Sequence, residues 1–189
     1  MMSNSARRRI MIAPNPKELL LVIRRIGRFC AGALLLALLQ PATADATAVG
    51  DMAPDFTLPA AAGGNVRLSE HRGEVVLLTF WSSRCSVCIA QMAALGDLQT
   101  TYRSAGLVTL AVSVDDDMKS ATQFAKSHPA RFPLLLDRLK GVGRAYSIEL
   151  LPTTILIDRR GRVRFLQADY HGIDHSYVAQ LRALLDDPL

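Results

Sequence analysis

The chain has 189 residues, of which 50% are hydrophobic, and carries 22 Lys and Arg against 17 Asp and Glu for a formal charge of +5. Seven of the bases (Arg7, Arg8, Arg9, Lys17, Arg24, Arg25, Arg28) but only two of the acids (Glu18, Asp45) fall in the first 46 residues, which leaves 15 of each sign over 47–189. The basic excess therefore belongs to the leader, and nucleic acid is excluded as a partner for want of a basic surface.

In chain order the first feature reads as an export signal. A basic stretch ends at Arg28, an eleven-residue apolar run spans Phe29 to Leu39, and Gln40-Pro41 breaks it. The small residues that follow place cleavage after Ala46, with Ala44 nearly as good. The run is shorter than the about 20 residues a spanning helix needs, so an uncleaved, tilted anchor over 29–39 is the alternative. The long basic region leaves Met11 as a second candidate start. Cys30 precedes the apolar run, whereas a lipid-modified cysteine would follow it, and it is lost if the leader is cut. Residues 1–46 are thus a signal peptide and 47–189 a single domain, long enough to bury one core.

Within the domain, Ala53-Pro54-Asp55-Phe56-Thr57-Leu58 is extended, Gly63-Gly64-Asn65 a turn, and Val66-Arg67-Leu68 a short strand. Val75 to Trp81 is a continuous apolar run, too short for a helix and fit for a buried strand. From Cys85 to Tyr102 the period changes. Val87, Ala90, Ala94, Leu95, Leu98 and Tyr102 recur at helical spacing, and Gly106 is a stop. Leu107 to Val114 is a second buried strand rich in β-branched residues. Asp115-Asp116-Asp117 reads as the solvated start of a helix over Met118 to Ser127, ended by His128-Pro129. Pro133 to Asp137 is a short strand, and Leu139 to Ile148 a short helix with Leu139, Val142 and Tyr146 inward. Leu151 to Asp158 enters another buried strand, Arg159 to Arg162 turns, and Val163 to Leu166 returns. A helix from Ile173 to Leu185 ends the chain, with Tyr177, Val178, Leu181 and Leu184/Leu185 inward. Strands alternating with helices give an α/β fold, a central mixed sheet covered by helices on both faces.

The chemistry lies in Phe80-Trp81-Ser82-Ser83-Arg84-Cys85-Ser86-Val87-Cys88. Two cysteines separated by two residues sit on one helical turn and can close and open a disulfide locally. The first stands at the helix N-terminus, where free amides and the helix dipole favour the thiolate, the species that attacks disulfides. A plain structural bridge would stabilise little, because so short a loop hardly restrains the unfolded chain. A zinc site would need further ligands, and the sequence offers no second pair at suitable spacing. His71, His128, His171 and His175 read as surface residues, and Met92 as core. No cofactor and no metal are expected.

Val75–Trp81, Cys85-Ser86-Val87-Cys88 and Leu151-Pro152-Thr153-Thr154-Ile155-Leu156-Ile157-Asp158 together resemble the thioredoxin superfamily. The leader, Ala53-Pro54-Asp55-Phe56, the extra Leu134–Asp137 strand and the Asp158–Arg162 turn narrow this to the TlpA/ResA/DsbE group of thiol–disulfide oxidoreductases. The resemblance covers residues 50–187. It implies a thioredoxin-like fold, a periplasmic location, Cys85 as the exposed attacking thiol and Cys88 as the buried resolving thiol. It makes Pro152 a cis-proline, with the Leu151 backbone offered to a partner's extended chain. Trp81, Arg84 and Thr79 become active-site support. Arg84 stands where many relatives have a second Trp, and a guanidinium beside Cys85 favours its thiolate. Thr79 replaces the buried Asp or Asn of relatives, which leaves water or another group to take the Cys88 proton. Gln91 and Ala93 replace an acid and a kinking proline. The implied partners are disulfide-bearing client proteins and a membrane-bound thiol reductant that recycles a monomeric protein, which reduces rather than oxidises, with cytochrome c maturation as one duty. Two other classes are open. A peroxiredoxin-type thiol peroxidase shares Ala53-Pro54-Asp55-Phe56 but needs a Pro-x-x-x-Thr-x-x-Cys site that is absent here. A copper chaperone uses cysteines spaced by three residues rather than two.

Overall fold

The computed structural model describes residues 47–168 and 172–187. The leader, its cleavage point, the 29–39 anchor and His171 lie outside the described residues. Among the described residues seven strands and four α-helices follow in chain order: β1 (Thr57–Pro59), β2 (Asn65–Arg67), β3 (Val75–Trp81), α1 (Ser86–Tyr102), β4 (Leu107–Ser113), α2 (Met118–Ser127), β5 (Leu134–Leu136), α3 (Gly141–Ala145), β6 (Thr153–Ile157), β7 (Val163–Gln167) and α4 (His175–Asp186). The main sheet runs β5-β4-β3-β6-β7, with β3 parallel to β4, β4 parallel to β5, and the β3–β6 and β6–β7 pairs antiparallel. It is a thioredoxin-like mixed sheet. The β1–β2 hairpin stands apart and joins the β5 edge through the Ala60–Leu135 bridge.

All seven residues of β3 are buried because it is the central strand, covered on both faces. Alternation sends Val75, Leu77 and Trp81 to a core built with Leu95 and Leu98 of α1, Phe124 of α2, and Leu181 and Leu184 of α4. Val76, Leu78 and Phe80 face the other core, with Phe56, Leu68, Val142, Tyr146 and Val163. Each large side chain so buried contributes roughly 1.5–3 kcal/mol. The three long helices share one face, and the short α3 with the hairpin covers the other.

The structure corrects three expectations of detail. Leu68 begins a 3-10 turn over Leu68–His71 instead of ending a strand. Leu139 is 82% exposed, since the helix expected from it starts only at Gly141. In α1 the inward stripe is Cys88, Gln91, Met92, Leu95, Leu98 and Gln99, whereas Val87 and Ala90 face outward. Two glutamines on the buried side displaced a stripe drawn from apolar residues alone. Gln99 is buried for a reason in the sheet. Strand β5 pairs with β4 only from Ala111 onward, so the earlier part of that edge of β4 has no strand beside it. The Gln99 carboxamide takes its place, donating to the Leu107 carbonyl at 3.1 Å and accepting from the Thr109 N–H at 2.6 Å. After α1, Gly106 adopts φ +93°, a left-handed conformation that glycine takes without a Cβ clash, and turns the chain into β4.

Candidate active site

Cys85 and Cys88 form a disulfide with their Cα atoms 5.2 Å apart. Cys85 is the N-cap of α1, and its sulfur accepts the Cys88 N–H at 3.1 Å. A sulfur held there meets the unpaired amides of the first turn and the positive end of the helix dipole. Cys88, one turn inside, is 1% exposed, while Cys85 is only half-buried. Of the pair, Cys85 is in part open to solvent and Cys88 is enclosed by the core.

The approach to Cys85 is a tightly bonded loop. Ser82 O accepts the Cys85 N–H at 3.0 Å, and Ser82 Oγ accepts the Arg84 N–H at 3.3 Å. Both serines bind the Asp115 carboxylate: Ser82 Oγ donates at 2.9 Å, Ser83 Oγ at 2.7 Å, and the Ser83 N–H at 3.0 Å. Ser113 Oγ adds a further bond at 2.8 Å. This corrects the solvated reading of the acid run, because Asp115 is 5% exposed while only Asp117 caps α2. A sequence signal for the cluster exists in the strand pairing. Trp81 pairs with Ser113 across the parallel β3–β4 ladder, so the residues after each strand must meet.

Thr79 and Trp81 lie on the α1 side of β3. Thr79 Oγ1 donates to Gln91 Oε1 at 3.4 Å, and Gln91 Nε2 donates to Thr154 Oγ1 at 2.9 Å, all three residues being buried. The polar group one turn beyond Cys88 is thus a neutral amide between two hydroxyls. Trp81, 1% exposed, packs on Phe124 with ring centroids 5.0 Å apart, and Phe124 stacks on His128 at 4.1 Å. Arg84 is exposed. Its charge acts on Asp116, whose carboxyl is held below the usual range chiefly by the hydrogen bond and charge of Lys140, with Arg84 adding to it.

Across the site, the Leu151–Pro152 peptide bond is cis. The β3–β6 ladder begins with Phe80 opposite Thr153, so Leu151 and Pro152 lie just beyond it, at the same end of the sheet as Trp81 and Cys85. Leu151 is half-buried, and Leu150 beside it is 61% exposed. Among the described residues, no three His, Cys, Asp or Glu gather as metal ligands would, and no helix is long and apolar enough to cross a membrane.

Residues 49–166 match the family model described as the AhpC/TSA family. The thiol-disulfide oxidoreductase ResA of Geobacillus kaustophilus is 40% identical over 119 residues, which cover 63% of this chain and 68% of that protein. A crystal structure from Chlorobium tepidum, provisionally named thiol:disulfide interchange protein DsbE, superposes with a TM-score of 0.70 at 33% identity, covering 74% of this chain and 99% of that one. The thioredoxin domain of a thiol-disulfide oxidoreductase from Bacteroides vulgatus superposes with a TM-score of 0.64 at 25% identity, over 74% and 99%.

Proposed function

The chain belongs to the AhpC/TSA family, within its thioredoxin-like thiol–disulfide oxidoreductases, and from that premise we propose that it reduces disulfides in other exported proteins. The observation that carries this reading is the unequal exposure of the two paired cysteines, one half-open at a helix N-terminus and one sealed behind it. In the reduced protein the Cys85 thiolate attacks a client disulfide. A Cys85–client bond forms, the client's own S–S bond breaks, and one client sulfur leaves as a thiolate that takes up a proton. Cys88 then loses its proton to water, and its thiolate attacks the Cys85 sulfur. The Cys85–Cys88 bond forms, the Cys85–client bond breaks, and the second client sulfur leaves as a thiolate that takes up a proton from water. Two electrons have passed to the client, and its two protons come by way of the solvent that received those of Cys85 and Cys88.

Supporting roles follow from position. The Leu151 backbone, beyond the ladder and before Pro152, is free to pair with an extended client segment as an added strand would. Cys88 sits in the apolar core, and the Thr79–Gln91 pair one turn further along α1 adds a polar group there without a charge. Trp81 fixes the floor of the site against Phe124. Arg84 adds positive charge at the rim. Residues 1–46 serve as the export signal, or 29–39 as an anchor, and the domain works as a periplasmic monomer. A membrane-bound thiol donor returns it to the dithiol state. Cytochrome c maturation, in which client thiols must stay reduced, is a fitting duty.

Trapping tests the roles. The full chain carrying Cys30→Ser and Cys88→Ser, incubated with an oxidised peptide that contains a Cys-x-x-Cys disulfide, should accumulate a mixed disulfide through Cys85 that dithiothreitol releases. The chain carrying Cys30→Ser and Cys85→Ser should accumulate none. An adduct through Cys88, or none with either variant, would overturn the assignment.

A further inference from the structure

Two buried carboxylates stand at the active end of the sheet, one just after each of the parallel strands β4 and β5. They hold different pieces of chain. Asp137, 2% exposed, accepts the Gly141 and Gly143 N–H groups at 3.0 and 2.9 Å and so secures α3. Asp115 instead secures the loop that carries the reactive cysteine, through Ser82 and Ser83. A carboxylate taken out of water is tolerated only where donors replace its hydration. Around Asp115 three hydroxyls and one amide do so, and hydrogen bonds to a charged acceptor are the stronger and shorter kind.

From this anchor to the thiol the path is short. Ser82 is held through its side chain by Asp115, and in turn holds the Cys85 N–H with its carbonyl. Cys85 is the N-cap, so its backbone position decides whether its sulfur meets the Cys88 N–H. The stabilisation of an anion at a helix N-terminus fades within one turn. A displacement of about 1 Å at a reacting centre can lower a rate on the order of a hundredfold.

We propose that Asp115 is a positioning residue of the exchange reaction: acting through Ser82 and Ser83, it holds the Cys85 sulfur against the amides that open α1 and so sets how much of Cys85 is thiolate. The proposal deepens, and rests on, the reading of Cys85 as the attacking thiol. Other charged groups at this end are the exposed Arg84, Asp116, Asp117 and Lys119 and the half-buried Lys140, which stay in place in every variant below, and the buried Asp137, which is replaced only in the comparison variant.

The test is the pH profile of iodoacetamide alkylation at Cys85, followed by mass spectrometry of its peptide, in the reduced full chain carrying Cys88→Ser. With Ser82→Ala and Ser83→Ala together, the carboxylate's charge remains but its hold on the loop is lost. The profile should move to higher pH, with alkylation about tenfold slower on its acid side because the thiolate fraction there falls by that factor. Asp115→Asn should move it the same way. Asp137→Asn is the comparison for plain destabilisation, and should lower the unfolding temperature while leaving the profile where it was. An unchanged profile in the serine variant, or one that Asp137→Asn moves equally, would reduce Asp115 to a structural role. A move to lower pH in Asp115→Asn would show the carboxylate acting on the thiolate by its charge instead, and would also overturn the proposal. A Cys85 that fails to alkylate before any of these substitutions would overturn the underlying reading of the thiol, and is told apart by appearing in the parent.

Discussion

Replacing Gln91 by Leu tests whether the neutral network beneath Cys88 holds the fold together. Gln91 is 5% exposed, and its amide is donor to Thr154 at 2.9 Å and acceptor from Thr79 at 3.4 Å. Leu has a similar size and is the better buried group, which offsets about 1 kcal/mol. Against that, the Thr154 hydroxyl loses a well-made partner inside the core, a loss of about 1–3 kcal/mol. Thr79 loses less, because its contact with Gln91 is long and the Thr153 carbonyl at 3.5 Å is an alternative acceptor. Together these effects leave a net loss of about 1–2 kcal/mol, an up to roughly thirtyfold change in the unfolding equilibrium. Urea unfolding of the oxidised protein should show it as a midpoint lowered by about 0.5–1 M with unchanged slope. The decisive arm is repair: adding Thr79→Val and Thr154→Val removes the orphaned hydroxyls and should restore most of the loss, since apolar replacement of every partner is close to neutral. A Gln91→Leu protein as stable as the parent would refute the reasoning. So would a triple variant less stable than the single one.

Phe124→Ala should lower stability by about 3 kcal/mol, near the low end for such truncations, because the ring stacks on His128, which is itself exposed. The sequence contains a single Trp, so the fluorescence of Trp81 should report the lost ring contact directly, and an unaltered spectrum would contradict the packing described. Burial pushes the phenols of Tyr146 and Tyr177 well above the usual tyrosine range. Both stay protonated in the folded chain while the unfolded phenols ionise near pH ~10, so their contribution is whole below that pH and is lost as pH rises beyond it. An absorbance titration should therefore find a tyrosine fraction that ionises only as the protein unfolds at alkaline pH, and titration of all four before unfolding would speak against that burial. Hydrogen peroxide added to the reduced protein should be consumed no faster than by an ordinary thiol; fast consumption would favour the peroxidase class.

The strands and the cysteine pair were legible in the sequence because their patterns are short-range. Val75–Trp81 is an apolar run of strand length, and Cys85–Cys88 declares itself by spacing. What lay hidden depended on groups that meet only in the folded sheet. Gln99 looks like a surface residue until the missing strand beside the start of β4 is known. Asp115 looks like one of three solvated acids, yet the parallel pairing of β3 with β4 brings Ser82, Ser83 and Ser113 to it and leaves Asp117 alone as the helix cap. The outward Val87 and Ala90 show the same limit, since helical period fixes the spacing of a buried face but not which polar residues share it.

The measurement that tests the account most directly is the reduction potential of the Cys85–Cys88 couple, found by equilibrating the protein with dithiothreitol and glutathione buffers. The account predicts a value in the range of reducing thioredoxins, around −270 mV, as a disulfide reductant supplied by a membrane donor requires. A value close to −120 mV, roughly that of the strong periplasmic oxidant DsbA, would contradict it and make the protein a disulfide donor.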